Sequence, residues 1–212
     1  MERKIIGYYS YTVILTYMGM LSACVGIFYS IKGNYFLAVV LLMISGICDM
    51  FDGAVASTKK GRDENEKRFG IQIDSLSDLV SFGVFPAILV YMIVGAQVLS
   101  MVVACIYILA ALIRLAYFNV LEEERQSRKD GRRKSYLGVP VTTIALVMPL
   151  FYIAFSNGLF SNVVCFLVML ALTAIGFVSP VEIRKPASVG KIVIVVIGVL
   201  EFVSLFVFRG AV

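Results

Sequence analysis

Seven stretches of this chain are so apolar and so free of charge that lipid, rather than water, must be the solvent for most of it. They run approximately over residues 8–31, 35–56, 71–96, 99–121, 139–155, 162–177 and 189–208. A helix needs about 20 predominantly apolar residues to cross the hydrocarbon core of a bilayer. Inside that core the backbone must satisfy its own hydrogen bonds, which leaves helices for segments of this length. The expected fold is therefore all-α: a polytopic membrane helical bundle of six to seven transmembrane helices, with residues 1–212 forming one transmembrane domain. Composition agrees, since 60% of the 212 residues are hydrophobic and 16% charged. The fifth and sixth segments are short and joined only by Ser156-Asn157-Gly158-Leu159-Phe160-Ser161, which predicts a helical hairpin. The segment at 189–208 carries the weakest case for a full span.

Positive charge alternates from one connection to the next. Arg3 and Lys4 precede the first segment. Lys59, Lys60, Arg62, Lys67 and Arg68 follow the second, Arg125, Arg128, Lys129, Arg132, Arg133 and Lys134 follow the fourth, and Arg184, Lys185 and Lys191 lie ahead of the last or in its first turn. The intervening loops hold only Lys32, and Arg209 lies near the C-terminus. The positive-inside rule then places the N-terminus and the three basic connections in the cytoplasm. The runs at 59–68 and 122–134 are polar enough to be mobile, and their charges suit anionic headgroups. The net charge of +5 comes from these short clusters and not from one solvated basic face, which argues against a nucleic-acid partner. The charged start Met1-Glu2-Arg3-Lys4 precedes an apolar run too long for a signal-peptide core, and it reads as a retained first helix. Cys24, Cys48, Cys105 and Cys165 all fall within apolar segments at spacings that fit neither a zinc site nor a disulfide framework, so they read as core fillers.

Four carboxylates sit where lipid makes them costly: Asp49 and Asp52 late in the second segment, Asp74 and Asp78 early in the third. At a helix centre such a charge costs about 2.5–3.5 kcal/mol on insertion scales. Spacings of three and four put each pair on one helix face, and the antiparallel connection can bring the two faces together. Four facing carboxylates repel one another unless a cation lies among them. Oxygen-only ligands select hard ions such as Mg²⁺, Mn²⁺ or Ca²⁺, and a cluster of this size has room for two bridged ions. Gly53 and Ala56 follow Asp52, and Gly70 precedes Asp74. Small residues here either admit a phosphorylated ligand to the backbone or allow helices to pack closely. Arg114, near the end of the fourth segment, either pairs with a substrate anion or snorkels to the interface. Glu201 faces another helix or a protomer interface, and Pro86 and Pro149 are expected to kink their helices.

The pattern Asp49-x-x-Asp52-Gly53-x-x-Ala56 followed by Gly70-x-x-x-Asp74-x-x-x-Asp78 resembles the signature of the CDP-alcohol phosphatidyltransferase family. The longer runs 48–56 and 69–83, with Arg114-Leu115-Ala116 and Phe118-Asn119, are similar to its phosphatidylserine synthase branch. The likeness extends from the first segment to the sixth. It implies that Asp49, Asp52, Asp74 and Asp78 bind metal and that Asp78 is also the general base. It implies too that Asp52, Gly53, Ala56 and Gly70 lie at the CDP site, with Arg114 a further substrate-anion ligand. The implied reaction is attack by the hydroxyl of L-serine on the lipid-linked phosphorus of CDP-diacylglycerol, with release of CMP, by a homodimer in the cell membrane whose active site faces the cytoplasm. Two departures stand out. Ser57 occupies the position where the family usually has arginine, and the interval to Gly70 is longer than usual; phosphate neutralisation then falls to Lys59, Lys60 or Arg68. The Pro-Asn pair often found ahead of the family's first helix is absent.

The chain has no histidine, which excludes phosphatidyl transfer through a histidine nucleophile and any histidine acid-base pair. Glycerol 3-phosphate or inositol phosphate as acceptor would call for extra cations in the acceptor pocket. A divalent-cation channel or carrier would need acids distributed along a path and some symmetry between halves. The sequence shows one acidic cluster and no repeat.

Overall fold

The computed structural model describes residues 6–128, 135–184 and 188–207. Arg3, Lys4, Lys129, Arg132, Arg133, Lys134, Lys185 and Arg209 from the charge pattern lie outside them. Among the described residues the chain is helical nearly throughout: α1 (Ile14–Ile31, after a 3₁₀ turn at Tyr11–Val13), α2 (Tyr35–Thr58), α3 (Glu64–Asp78), α4 (Phe85–Val94), α5 (Val98–Arg128), α6 (Ile144–Ser156), α7 (Val164–Val178) and α8 (Ser188–Val207). Four helical runs are long and apolar enough to cross a membrane: Tyr11–Ile31, Tyr35–Thr58, Glu64–Val94 and Val98–Glu124. Shorter apolar helices cover Val141–Ser156, Val164–Val178 and Val193–Val207. The expected all-α polytopic bundle is what forms, and the protein is an integral membrane protein.

The α1–α2 hairpin closes through a tight turn. Gly33 adopts φ of +77°, the left-handed region open to glycine, while Asn34 caps α2 by accepting the Leu37 amide at 3.2 Å. At the other end of α2, the run expected to be mobile is half helix. Asp63 accepts the Glu66 amide as N-cap, and α3 begins at Glu64, well ahead of the apolar segment. Its first turn carries Glu64 and Glu66, which complement the helix N-terminus.

α3 runs into α4 through a wide π turn at Leu79–Val84. Pro86, at the start of α4, has no N–H to offer the turn before it. The Phe82 carbonyl instead accepts the hydroxyl of the fully buried Tyr107 from α5, at 2.7 Å. A proline irregularity and a buried tyrosine thus satisfy each other, since a phenol in an apolar core needs a partner. The turn follows directly after Asp78, so the helix changes pitch just beyond the last acid.

α1 packs along α2 and also against α3, the π turn and α4. Gly26 permits this, because a Cβ there would lie 2.2 Å from Phe85 Cζ; Gly46 likewise makes room for Ala145 Cβ. α6 and α7 meet through an aromatic cluster of Phe151, Phe155, Phe160 and Phe166 at their connection, but they do not pair along their length as the expected hairpin would: α6 lies against α2 and α8, and α7 against α5 and α4. One element had no signal in the hydropathy pattern. Ser135–Leu137 pairs antiparallel with Glu182–Arg184, Tyr136 opposite Ile183, joining the connection before α6 to the one after α7. Gly138 follows with φ of +74°, and a Cβ there would come 2.6 Å from the Phe177 carbonyl oxygen. The cysteines are not all core fillers: Cys48 is buried, Cys24 and Cys165 are half-buried, and Cys105 is exposed on α5.

Candidate active site

α2 and α3 bring all four acids together at one end of the bundle. Asp49 and Asp52 lie one turn apart on the inner face of α2, and Asp74 and Asp78 one turn apart on α3. The pairs interlock side by side, with Asp49 next to Asp78 and Asp52 next to Asp74. Asp49, Asp74 and Asp78 each offer a carboxylate oxygen, and these oxygens lie within 4.8 Å of one another. Ligand oxygens around a single hard cation lie at most about 4–5 Å apart, so this set fits one ion without rearrangement. The donors are all oxygens, which suits Mg²⁺ or Mn²⁺ and not softer metals.

The first helix supports both pairs through one residue that sequence reasoning passed over. Thr16 donates its hydroxyl to Asp52 Oδ2 at 3.0 Å, while its carbonyl accepts from the Ser77 hydroxyl of α3 at 3.3 Å. Asp52, 9% exposed, is therefore held by α1 as well as by its place on α2. Thr16, Ser45, Ser77 and Ser81 line a small cavity of about 10 Å³ beside Asp49, Asp52 and Asp78. Their signal in the sequence was only that of hydroxyls inside apolar helices, which commonly bond their own backbone.

A larger cavity of about 170 Å³ opens on the other side of Asp52 and Asp74. Its lining includes Thr12, Gly53, Ala56, Gly70, Arg62 and Lys67. The small residues separate into two kinds. A Cβ on Gly53 would meet no atom within 4 Å, so packing does not keep that residue small. A Cβ on Gly70 would lie 2.7 Å from Arg62 Nη2, so Gly70 makes room for a guanidinium.

Of the cations expected at the phosphate, Lys59, Lys60 and Arg68, none lines this cavity. Lys59 is engaged with Glu66, Nζ to Oε1 at 2.7 Å, and Glu66 also accepts from Ser10 at 3.0 Å. The cavity is lined by Arg62 and Lys67 instead of Lys60 or Arg68. Arg114, on α5, stands close enough to Asp49 for a favourable charge interaction, and its guanidinium carbon is 5.9 Å from the centre of the Phe118 ring. It is thus on the Asp49 side of the cluster, away from the larger cavity. Nearby, Ser75 donates to Asn119 at 2.8 Å and ties α3 to α5. Glu201 is buried on α8, apart from the site, with its Oε2 unbonded.

The chain is similar in sequence to known proteins. The chain is 30% identical to the archaetidylserine synthase of Methanothermobacter thermautotrophicus over 190 residues, 89% of this chain and 76% of the relative. It is 32% identical to a CDP-diacylglycerol--serine O-phosphatidyltransferase of Helicobacter pylori over 142 residues, covering 66% of this chain and 54% of that one. The same identity holds over 135 residues with the Saccharomyces cerevisiae protein of that name, covering 62% of this chain and 48% of the relative. The chain therefore spans about half the length of these two transferases and three quarters of the archaeal protein. The description CDP-alcohol phosphatidyltransferase matches residues 11–178, from the 3₁₀ turn before α1 to the end of α7, and the chain belongs to that family.

Proposed function

We propose that the protein transfers a phosphatidyl group from CDP-diacylglycerol to L-serine, releasing CMP and forming phosphatidylserine. The observation that carries this reading is the interlocking of Asp49 and Asp52 with Asp74 and Asp78 beside a cavity lined by Gly53, Ala56 and Gly70. The four aspartates would hold divalent metal, Mg²⁺ or Mn²⁺ and two ions in the proposal, whose charge offsets the negative charge that develops on the pyrophosphate. Asp78 accepts the proton of the serine hydroxyl as its oxygen attacks the lipid-linked phosphorus in line; the bond to the CMP oxygen breaks, and CMP carries away that electron pair. Thr16 positions Asp52, and Ser77 keeps α1 and α3 in register around it. Arg114, on the Asp49 side, is assigned to the serine carboxylate. Serine as acceptor is favoured because all three relatives above carry serine in their names while differing in the lipid named.

The test is transfer by the purified protein from CDP-diacylglycerol with Mg²⁺ or Mn²⁺ and each alcohol in turn. Phosphatidylserine is the expected product. Transfer to glycerol 3-phosphate or inositol phosphate with none to serine would overturn the acceptor and leave the aspartate chemistry standing. Cation flux through reconstituted protein without any CMP release would instead favour the channel or carrier reading.

The chain is proposed to act as one domain and as a homodimer in the cell membrane, with the acids at the cytoplasmic face because the basic connections resist translocation. Twice the chain mass, after correction for detergent, is expected on sedimentation. A single cysteine at Lys60, in the α2–α3 connection, should resist an impermeant thiol reagent added outside intact cells and react after permeabilisation. Labelling from outside would invert the topology.

A further inference from the structure

The connection between α2 and α3, longer than the common pattern, brings a cation to the site that the signature positions do not supply. We propose that Arg62, assisted by Lys67, binds a phosphate of the CDP-linked donor in the larger cavity that they line with Asp52 and Asp74. This rests on the donor reading above.

Four observations carry it. Arg62 has a side chain only 13% exposed, although it comes from a polar connection. Its guanidinium lies over Gly70, where any side chain would displace it. Its bonds are weak for a buried guanidinium: Nη1 to the Ala56 carbonyl at 3.5 Å, Nη2 to the Glu66 carbonyl at 3.3 Å, and Nε bonded to nothing, 3.8 Å from Glu66 Oε1. Guanidinium carries five N–H donors in a fork suited to phosphate oxygens, so most of its capacity remains for a ligand. Finally, the cavity it lines carries both signs of charge, with Arg62 and Lys67 as well as Asp52 and Asp74 in its wall.

A cavity with that polarity fits a metal-chelated diphosphate better than a neutral alcohol or a free cation. The acids take the metal-bound oxygens, and the cations take oxygens the metal does not reach. Its volume of about 170 Å³ is below the roughly 300–1,000 Å³ of sites that enclose whole drug-sized ligands, so it suits the phosphates with the remainder of the donor outside. Glu66 is shared between Lys59 and Arg62 and holds the connection in this shape. Ser57, where the family pattern has arginine, then needs no cationic side chain of its own.

The test uses the full chain in detergent with Mg²⁺, comparing wild type, Arg62→Gln and Arg62→Lys. CDP and cytidine are titrated separately, and the KM for CDP-diacylglycerol and for serine is measured. Arg62→Gln is expected to weaken CDP binding about 10- to 100-fold, the range for losing charged hydrogen bonds, with cytidine binding changed less than about threefold. The KM for CDP-diacylglycerol should rise correspondingly while that for serine holds, and Arg62→Lys should recover part of the loss. Equal CDP affinity in wild type and Arg62→Gln overturns the proposal, as does a parallel loss of CDP and cytidine, which would mark a merely structural role. Selective loss of CDP binding in a protein whose wild type transfers nothing from CDP-diacylglycerol would uphold Arg62 as a phosphate ligand and defeat the donor assignment.

Discussion

Replacing Asp78 by Asn is expected to lower the rate of CMP release at least about a thousandfold while leaving the helical bundle folded. The change preserves shape and removes both the charge and the ability to accept a proton. General bases alone contribute about 10²–10⁴ in rate, and Asp78 also belongs to the set of oxygens within 4.8 Å that fits a cation. Its amide can bond the Asp49 carboxylate beside it, so stability should change little. The measurement is single-turnover transfer with saturating serine, alongside circular dichroism. Asp78→Glu separates the two roles, since it keeps the base but displaces it by one methylene: metal affinity should fall less than the rate. Turnover of Asp78→Asn within tenfold of wild type would remove Asp78 from the reaction.

Stripping divalent ions with a chelator is expected to abolish transfer, and Mg²⁺ or Mn²⁺ should restore it. It should also destabilise the protein, because an ion that binds only the folded state stabilises it by about 2.7 kcal/mol at a hundred times its Kd. The apparent melting temperature of wild type should therefore rise with added ion. That of Asp49→Asn should rise far less, since one of the three converging oxygens has lost its charge. In the absence of ions Asp49→Asn should melt no lower than wild type, because it relieves repulsion among the four acids. Equal metal-dependent shifts in the two proteins would overturn the metal site, whatever the activity.

Much of the fold was legible because lipid imposes a simple rule. A segment that is apolar on all sides and unable to leave its amides unbonded becomes a helix, so the seven apolar segments appear as helical runs with ends shifted by up to seven residues. The 59–68 connection was misjudged because average polarity hides local capping. Asp63 and Glu66 make the start of a helix there, and a basic run that reads as solvated is drawn in by ion pairs to Glu66. The pairing of 135–137 with 182–184 was invisible, since each strand has three residues and its partner lies two helices further along the chain.

The candidate site divides along the same line. By itself the sequence determined that four carboxylates had to share one end of the second and third helices, because period and spacing fix the face of a helix and burial of charge demands a partner. Only the tertiary structure decided which carboxylate meets which, that Thr16 of α1 holds Asp52, that Gly53 faces open space whereas Gly70 shelters a guanidinium, and that Arg62 rather than Lys59 lines the cavity. Those are contacts between elements, set by helix rotation and by the path of one connection, and no local pattern of residues encodes either.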